Sequence, residues 1–176
     1  MDWGIVAVSQ SDGPVHQALA AHDAAYVLVE AHGRIVTRRD IKAIHRLLHA
    51  RCDGEAIVAA IADPRIRLIT VAIGEAAYRT TRAGANGCHD VKPAVDSAVR
   101  GVASAAIGQI VAGLAARREA GSGGLTILAC DNLEQNNLIL ASLIDEAAVA
   151  CDVALADWIA AHIRFPAVFG DRFLID

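Results

Sequence analysis

The sequence predicts an α/β protein: a mostly parallel sheet with helices on both faces and a β-hairpin inserted. Three observations carry this. Strand-length runs such as Gly4–Ser9 (GIVAVS) and Leu125–Cys130 (LTILAC) are apolar almost throughout instead of at every second position, as strands covered on both faces are. These runs alternate with helical stretches, the order that builds a parallel sheet through crossover helices. The composition, 55% apolar and 20% charged over 176 residues, suits one domain (1–176) with a single core and excludes a disordered chain.

Gly4–Ser9 is the first strand, and the polar Gln10-Ser11-Asp12-Gly13-Pro14 behind it is a loop opening into a helix. Tyr26–Glu30 and Arg34–Thr37 are β-rich runs joined across Ala31-His32-Gly33, a hairpin with glycine at the backbone position that needs it. Ile41–Leu48 stays open between two readings: Ile41, Ile44 and Leu48 fit helical spacing, and a continuing strand fits as well. Asp53 suits the N-cap of a helix through Glu55 and Ile61 that Asp63-Pro64 stops. Arg67–Ile73 is a further apolar strand. A glycine-rich polar loop, Thr80–Asp90, leads to a long helix from about Ala94 to Arg118, whose last turn carries Arg117 and Arg118 where cations suit the helix dipole. Gly121-Ser122-Gly123-Gly124 breaks it ahead of Leu125–Cys130.

Charge and hydropathy exclude several function classes. With a net charge of −4 and a pI near 5.9, and with no basic stripe, the chain lacks the electrostatic footprint of a nucleic-acid binder. The mean hydropathy of +0.39 raises the question of a membrane span. The best candidate, Gly101–Ala116, is too short, carries Ser104 and Gln109, and reads as a small-residue packing helix. Met1-Asp2-Trp3 lacks the basic start of a secretory signal, so the expected compartment is the cytoplasm, where the four cysteines stay reduced. Cys88-His89-Asp90 cannot converge on one ion, and the His45/His49 pair has Arg46 where a metalloprotease helix has glutamate, so no metal is expected.

Ligands of such sheets bind at the carboxyl ends of the strands, which directs attention to Ser9–Pro14, Gly74–Tyr78 and Asp131–Asn137. The last is the richest: Cys130–Asn137 reads CDNLEQNN directly after a buried strand. Taken alone, Asp131 or Asn132 could simply cap the next helix. Further on stand Trp158-Ile159 and then FPAVFGDR at Phe165–Arg172.

In these segments the chain resembles the long-chain mannitol dehydrogenase family of polyol and hexuronate oxidoreductases, whose members carry CDNLxxNG after a Rossmann strand, then a WI pair and FPxxxxDR. WGIVAVS at Trp3–Ser9, ALAAHDAAYVLVE at Ala18–Glu30 and DPRIRLITV at Asp63–Val71 match family stretches in the same order, so the resemblance covers nearly the whole chain. It implies an incomplete Rossmann-like domain and hydride transfer between NAD, with NADP as the alternative, and the secondary alcohol or ketone of a polyol or sugar acid. Asn132 matches the family asparagine that donates to the reacting oxygen, a neutral donor suited to an oxygen gaining negative charge. Asp171 matches an aspartate near the substrate hydroxyls; on its own it reads equally as an ion pair with Arg172. Asp12 falls where an acid accepts from the ribose hydroxyls of NAD, or is a plain turn aspartate. Glu75 matches a family glutamate, more structural than cofactor-binding.

The sequence departs from the family in two main ways. The glycine-rich phosphate-binding turn is not found, nor is the helical C-terminal domain expected to supply the family's lysine general base, and Lys42 and Lys92, the only lysines, stand in no catalytic motif. Asn137 also replaces the usual glycine. The expectation is therefore a chain inactive by itself. The alternative is a non-catalytic binding or interaction module, self-associating through apolar surface near Phe165, Phe169 and Phe173. A small hydrolase reading is weaker, because no histidine or serine is placed beside Asn132.

Overall fold

The computed structural model describes residues 3–10, 12–72, 106–131 and 134–167. The chain divides into two compact units, Met1–Asp53 and Gly54–Asp176.

In the first unit, β1 (Ile5–Ser9) pairs in parallel with β4 (Ile44–His49), and the register sets Ser9 opposite His49 at their carboxyl ends. Helix α1 (Pro14–Ala21) follows β1, with Pro14 in its first turn, where the missing N–H has no helical partner to lose. Strands β2 (Tyr26–His32) and β3 (Ile35–Ile41) form the expected hairpin, longer than the sequence suggested: His32 pairs with Ile35, so the turn is Gly33-Arg34. Gly33 takes φ +61, a left-handed conformation that only glycine adopts without strain. Ile41–Leu48 is not helical: Ile41 ends β3, Lys42 and Ala43 link, and Ile44–Leu48 belong to β4, because pairing with β2 and β1 overrides a helical spacing carried by three residues. His45 and His49 consequently stand about 13 Å apart along β4 and cannot share an ion. Buried apolar side chains are few here: Ala24, Leu48 and Ala50.

The second unit holds α2 (Gly54–Ala62), β5 (Leu68–Val71), α3 (Ala106–Glu119), β6 (Leu125–Ala129), α4 (Asn136–Cys151), α5 (Val153–His162) and β7 (Ile163–Arg164). Its sheet is parallel in the order β5-β6-β7, with Leu68 opposite Thr126 and Leu125 opposite Ile163. The core lies around β6, against Leu114, Leu140, Ile144 and Leu155. Small residues let α2 and α3 approach: a Cβ on Gly113 would stand 2.5 Å from the Cβ of Ile61. The part of the long helix expected before Ala106 lies outside the described residues. None of the described helices is long and apolar enough to cross a membrane.

Arg117, which the sequence presents as a dipole cation at a helix end, is a buried cross-link. Its guanidinium donates to Ile61 O and Asp63 O beyond the end of α2, both at 2.8 Å, and to Gly123 O at 2.6 Å. Ser122 O and Gly124 O accept at 3.2 and 3.3 Å. The guanidinium thus supplies donors to five carbonyls at the helix end and the glycine turn, one of which, Asp63 O, also accepts from Ile66 N. Burial pushes its pKa below the ordinary value, and the Asp63 charge opposes that. Arg118 meets the cation expectation by pairing with Asp152 at 2.8 Å, while Asp152 caps α5 by accepting from Ala154 N.

Candidate functional site

In the second unit the parallel register sets the carboxyl ends of β5 and β6 side by side, with β7 running in the same direction from the start of β6. Cys130 N donates to Val71 O at 2.8 Å, so the chain leaving β6 starts beside the chain leaving β5. Asn136 Nδ2 donates to Ala129 O at 3.0 Å and to Asp131 O at 2.7 Å, closing the segment over the end of β6. Asn137 Nδ2 donates to Phe165 O at 3.1 Å and so ties this segment to the one that follows β7. The Asn-rich motif and the Phe-Pro motif, 28 residues apart in sequence, are joined by that bond.

Helix α4 starts only at Asn136, after Gln135 in the left-handed conformation (φ 56) and without a side-chain cap. Asp131 is therefore not its N-cap: the loop takes four more residues to turn into the helix. Three of the expected site residues, Asn132, Glu75 and Asp171, lie outside the described residues. What is described is the root of each of their loops. Trp158 stacks on His162 in α5, ring centroids 4.9 Å apart, while Ile159 is buried.

In the first unit Asp12 lies in the loop between β1 and α1. Its backbone oxygen accepts from Gln17 Nε2 at 2.9 Å. Its carboxylate is 72% exposed, and Oδ1 stands 3.2 Å from Nε2 of His49, whose side chain is 7% exposed. That approach is close but not aligned as a hydrogen bond. Beside it a groove of about 340 Å³ is lined by Val8, Ser9, Gly13, Pro14, His16 and Leu47.

Sequence reasoning did not find His49, Asn136 or Asn137 as site residues. The partners of His49 come from a strand and loop some 40 residues upstream, and only the parallel register reveals them. For Asn136 and Asn137 a signal was present, the run of asparagines after an apolar strand, but it drew attention to Asn132.

Parallel strands whose loops gather at their carboxyl ends define a Rossmann-type α/β protein. A profile of the mannitol dehydrogenase Rossmann domain matches residues 1–174, and the chain belongs to this family. Mannitol 2-dehydrogenase of Cereibacter sphaeroides is 31% identical over 173 residues, covering 97% of this chain and 36% of that protein. Polyol:NADP oxidoreductase of Gluconobacter oxydans (strain 621H) is 32% identical over 177 residues, covering 97% and 36%. Among solved structures, Pseudomonas fluorescens mannitol 2-dehydrogenase in ternary complex with NAD and D-mannitol superposes with a TM-score of 0.80 at 27% identity, over 93% of this chain and 34% of that one. The chain thus spans about a third of the length of the relatives it matches.

Proposed function

We propose that the chain is the cofactor-side part of a cytoplasmic NAD(P)-dependent oxidoreductase that interconverts the secondary alcohol and ketone of an open-chain polyol or hexuronate. The observation that carries this reading is the family match over residues 1–174. The names of the relatives point to either cofactor, since one is complexed with NAD and another is a polyol:NADP oxidoreductase.

Asp12 favours NAD: an exposed carboxylate at the carboxyl end of β1, beside an apolar groove, suits a ribose diol and repels a 2′-phosphate. When bound, the nicotinamide supplies the hydride acceptor or donor. The Asn132 carboxamide holds the reacting oxygen as negative charge gathers on it, and Asp171 accepts from the substrate hydroxyls. Glu75, through the family resemblance alone, has a role that is structural more than cofactor-binding. Asn136 and Asn137 hold the chain on either side of Asn132 to the sheet edge. Neither Lys42 nor Lys92 belongs to a catalytic sequence motif, so these 176 residues alone bind cofactor without turning over polyol.

Calorimetric titration with NAD and an assay with mannitol, arabinitol and a hexuronate test the reading. Binding without polyol-dependent NAD reduction is expected. Robust turnover would overturn the inactivity, and a folded protein that ignores both cofactors would overturn the oxidoreductase reading.

The second reading, a non-catalytic interaction module, is favoured by the exposed Tyr26, Val27, Val29, Ile35 and Val36 of the hairpin. Of the three phenylalanines expected to drive self-association, Phe165 is half-buried and Phe169 and Phe173 lie outside the described residues. A clean monomer by light scattering counts against this reading.

A further inference from the structure

We propose that His49 is a positioning residue for Asp12: its Nε2–H holds the Asp12 carboxylate in the orientation that receives the diol of an adenosine ribose. Selection of the unphosphorylated ribose then belongs to the pair and not to Asp12 alone. The inference rests on the cofactor reading above and adds to it a residue that the family motifs do not mark.

Three features lead to it. The first is the tautomer. His49 Nδ1 accepts from the backbone N–H of Arg51 at 3.3 Å, so the neutral ring carries its proton on Nε2, the atom 3.2 Å from Asp12 Oδ1.

The second is rigidity. The backbone N of His49 donates to Asp53 Oδ2 at 2.7 Å, its carbonyl accepts from Cys52 N and Asp53 N, and the next residue, Ala50, donates to Ser9 O at 2.9 Å. The ring of His16 packs edge-on against the imidazole, centroids 5.3 Å apart. The imidazole is thus fixed by its surroundings, whereas the exposed Asp12 carboxylate is free to turn about its side-chain bonds.

The third is the unmet donor. Nε2 is buried and makes no aligned hydrogen bond, although a carboxylate oxygen stands within reach. Alignment of the pair requires only a turn of the Asp12 side chain if its oxygen is to stay within reach of Nε2. Each carboxylate oxygen has lone pairs for two donors, so Oδ1 can take Nε2–H and still share the two ribose hydroxyls with Oδ2. An aspartate held in this way meets the diol without first losing its rotamer freedom.

The test compares the wild-type chain with His49→Gln, His49→Leu and Asp12→Asn. Glutamine places an amide N–H close to where Nε2–H stood; leucine fills the space without a donor. Two measurements are made: the ring nitrogen shifts of His49 by NMR, and calorimetric affinities for ADP-ribose and 2′-phospho-ADP-ribose. The expected results are an Nε2–H tautomer and an ADP-ribose affinity about fivefold weaker in His49→Leu, near wild type in His49→Gln. Affinity for the 2′-phosphorylated probe should stay unchanged in His49→Leu and rise in Asp12→Asn. A merely structural role would weaken both probes alike and leave their ratio fixed, which would overturn the proposal. So would an Nδ1–H tautomer in the wild type, a readout that does not depend on any variant folding. Wild-type protein that binds neither probe would overturn the cofactor reading itself, and the inference with it.

Discussion

In β6 of the second unit, Leu125, Ile127 and Ala129 are 6%, 0% and 1% exposed; in the hairpin of the first, Val27, Val29 and Val36 are 54%, 55% and 56% exposed. Both regions read in the sequence as apolar, β-rich runs. The difference is in what covers them. β6 has a parallel strand on either side and α4 against it, whereas neither hairpin strand pairs with a third among the described residues. Strand propensity therefore specifies both elements, but only burial stabilises one of them strongly.

The largest effect should come from truncating each region in turn. Ile127→Ala removes a fully buried side chain and should cost about 2–5 kcal/mol. Val29→Ala should change stability by no more than about 0.5 kcal/mol. Urea midpoints measure both, and equal losses would break the comparison.

Next is Arg117→Met, which keeps bulk and removes five donors. A loss of about 1.5–3 kcal/mol is expected, with Arg117→Lys between it and the wild type. Hydrogen exchange should show lost protection around the glycine turn at 121–124 and unchanged protection in β2 and β3. Loss in the hairpin as well would mean that the two units open together.

The smallest effect concerns Asp63. Hydrogen bonds from the Arg65 side chain and backbone hold its carboxyl at about 2, below the ordinary aspartate value of 3.8. A carboxyl depressed in the folded state adds stability above its unfolded value, and that stability is lost as pH falls from about 4 through about 2. Asp63→Asn should flatten this part of the acid limb of thermal stability, lying slightly below the wild type at pH 7 and meeting it as pH falls to about 2. An identical acid limb in the variant would show that the pair contributes nothing measurable.

How much of this was legible beforehand depended on the range of the interaction. The hairpin, α2, β5 and β6 came from local signals: apolar runs, Gly33, and Asp63-Pro64. Arg117 stands in the last helical turn as expected, but its cross-link was not legible, because two of its carbonyl partners lie 54 and 56 residues away. The His45/His49 spacing suggested a pair, yet His49 instead faces Asp12 and His16. Within the candidate site, Asp12 was singled out by the family resemblance, in a loop that follows a strand. The bond from Asn137 to Phe165 O was not, because substituting asparagine for the family's glycine looks like a loss until the second segment is alongside.

The hairpin has a consequence for solubility. A two-stranded ribbon leaves main-chain donors and acceptors along its edges, a template on which another chain can grow, and Tyr26-Val27-Leu28-Val29 is the kind of run that stacks. Opposite it β3 carries Arg38, Arg39 and Asp40, paired in register with Val29, Leu28 and Val27. Each residue of that run after Tyr26 thus faces a charged partner, and an incoming strand would have to bring hydrated or repelling groups against its neighbours. Among the described residues no third strand joins this ribbon, and these three charges oppose the stacking of another strand on it.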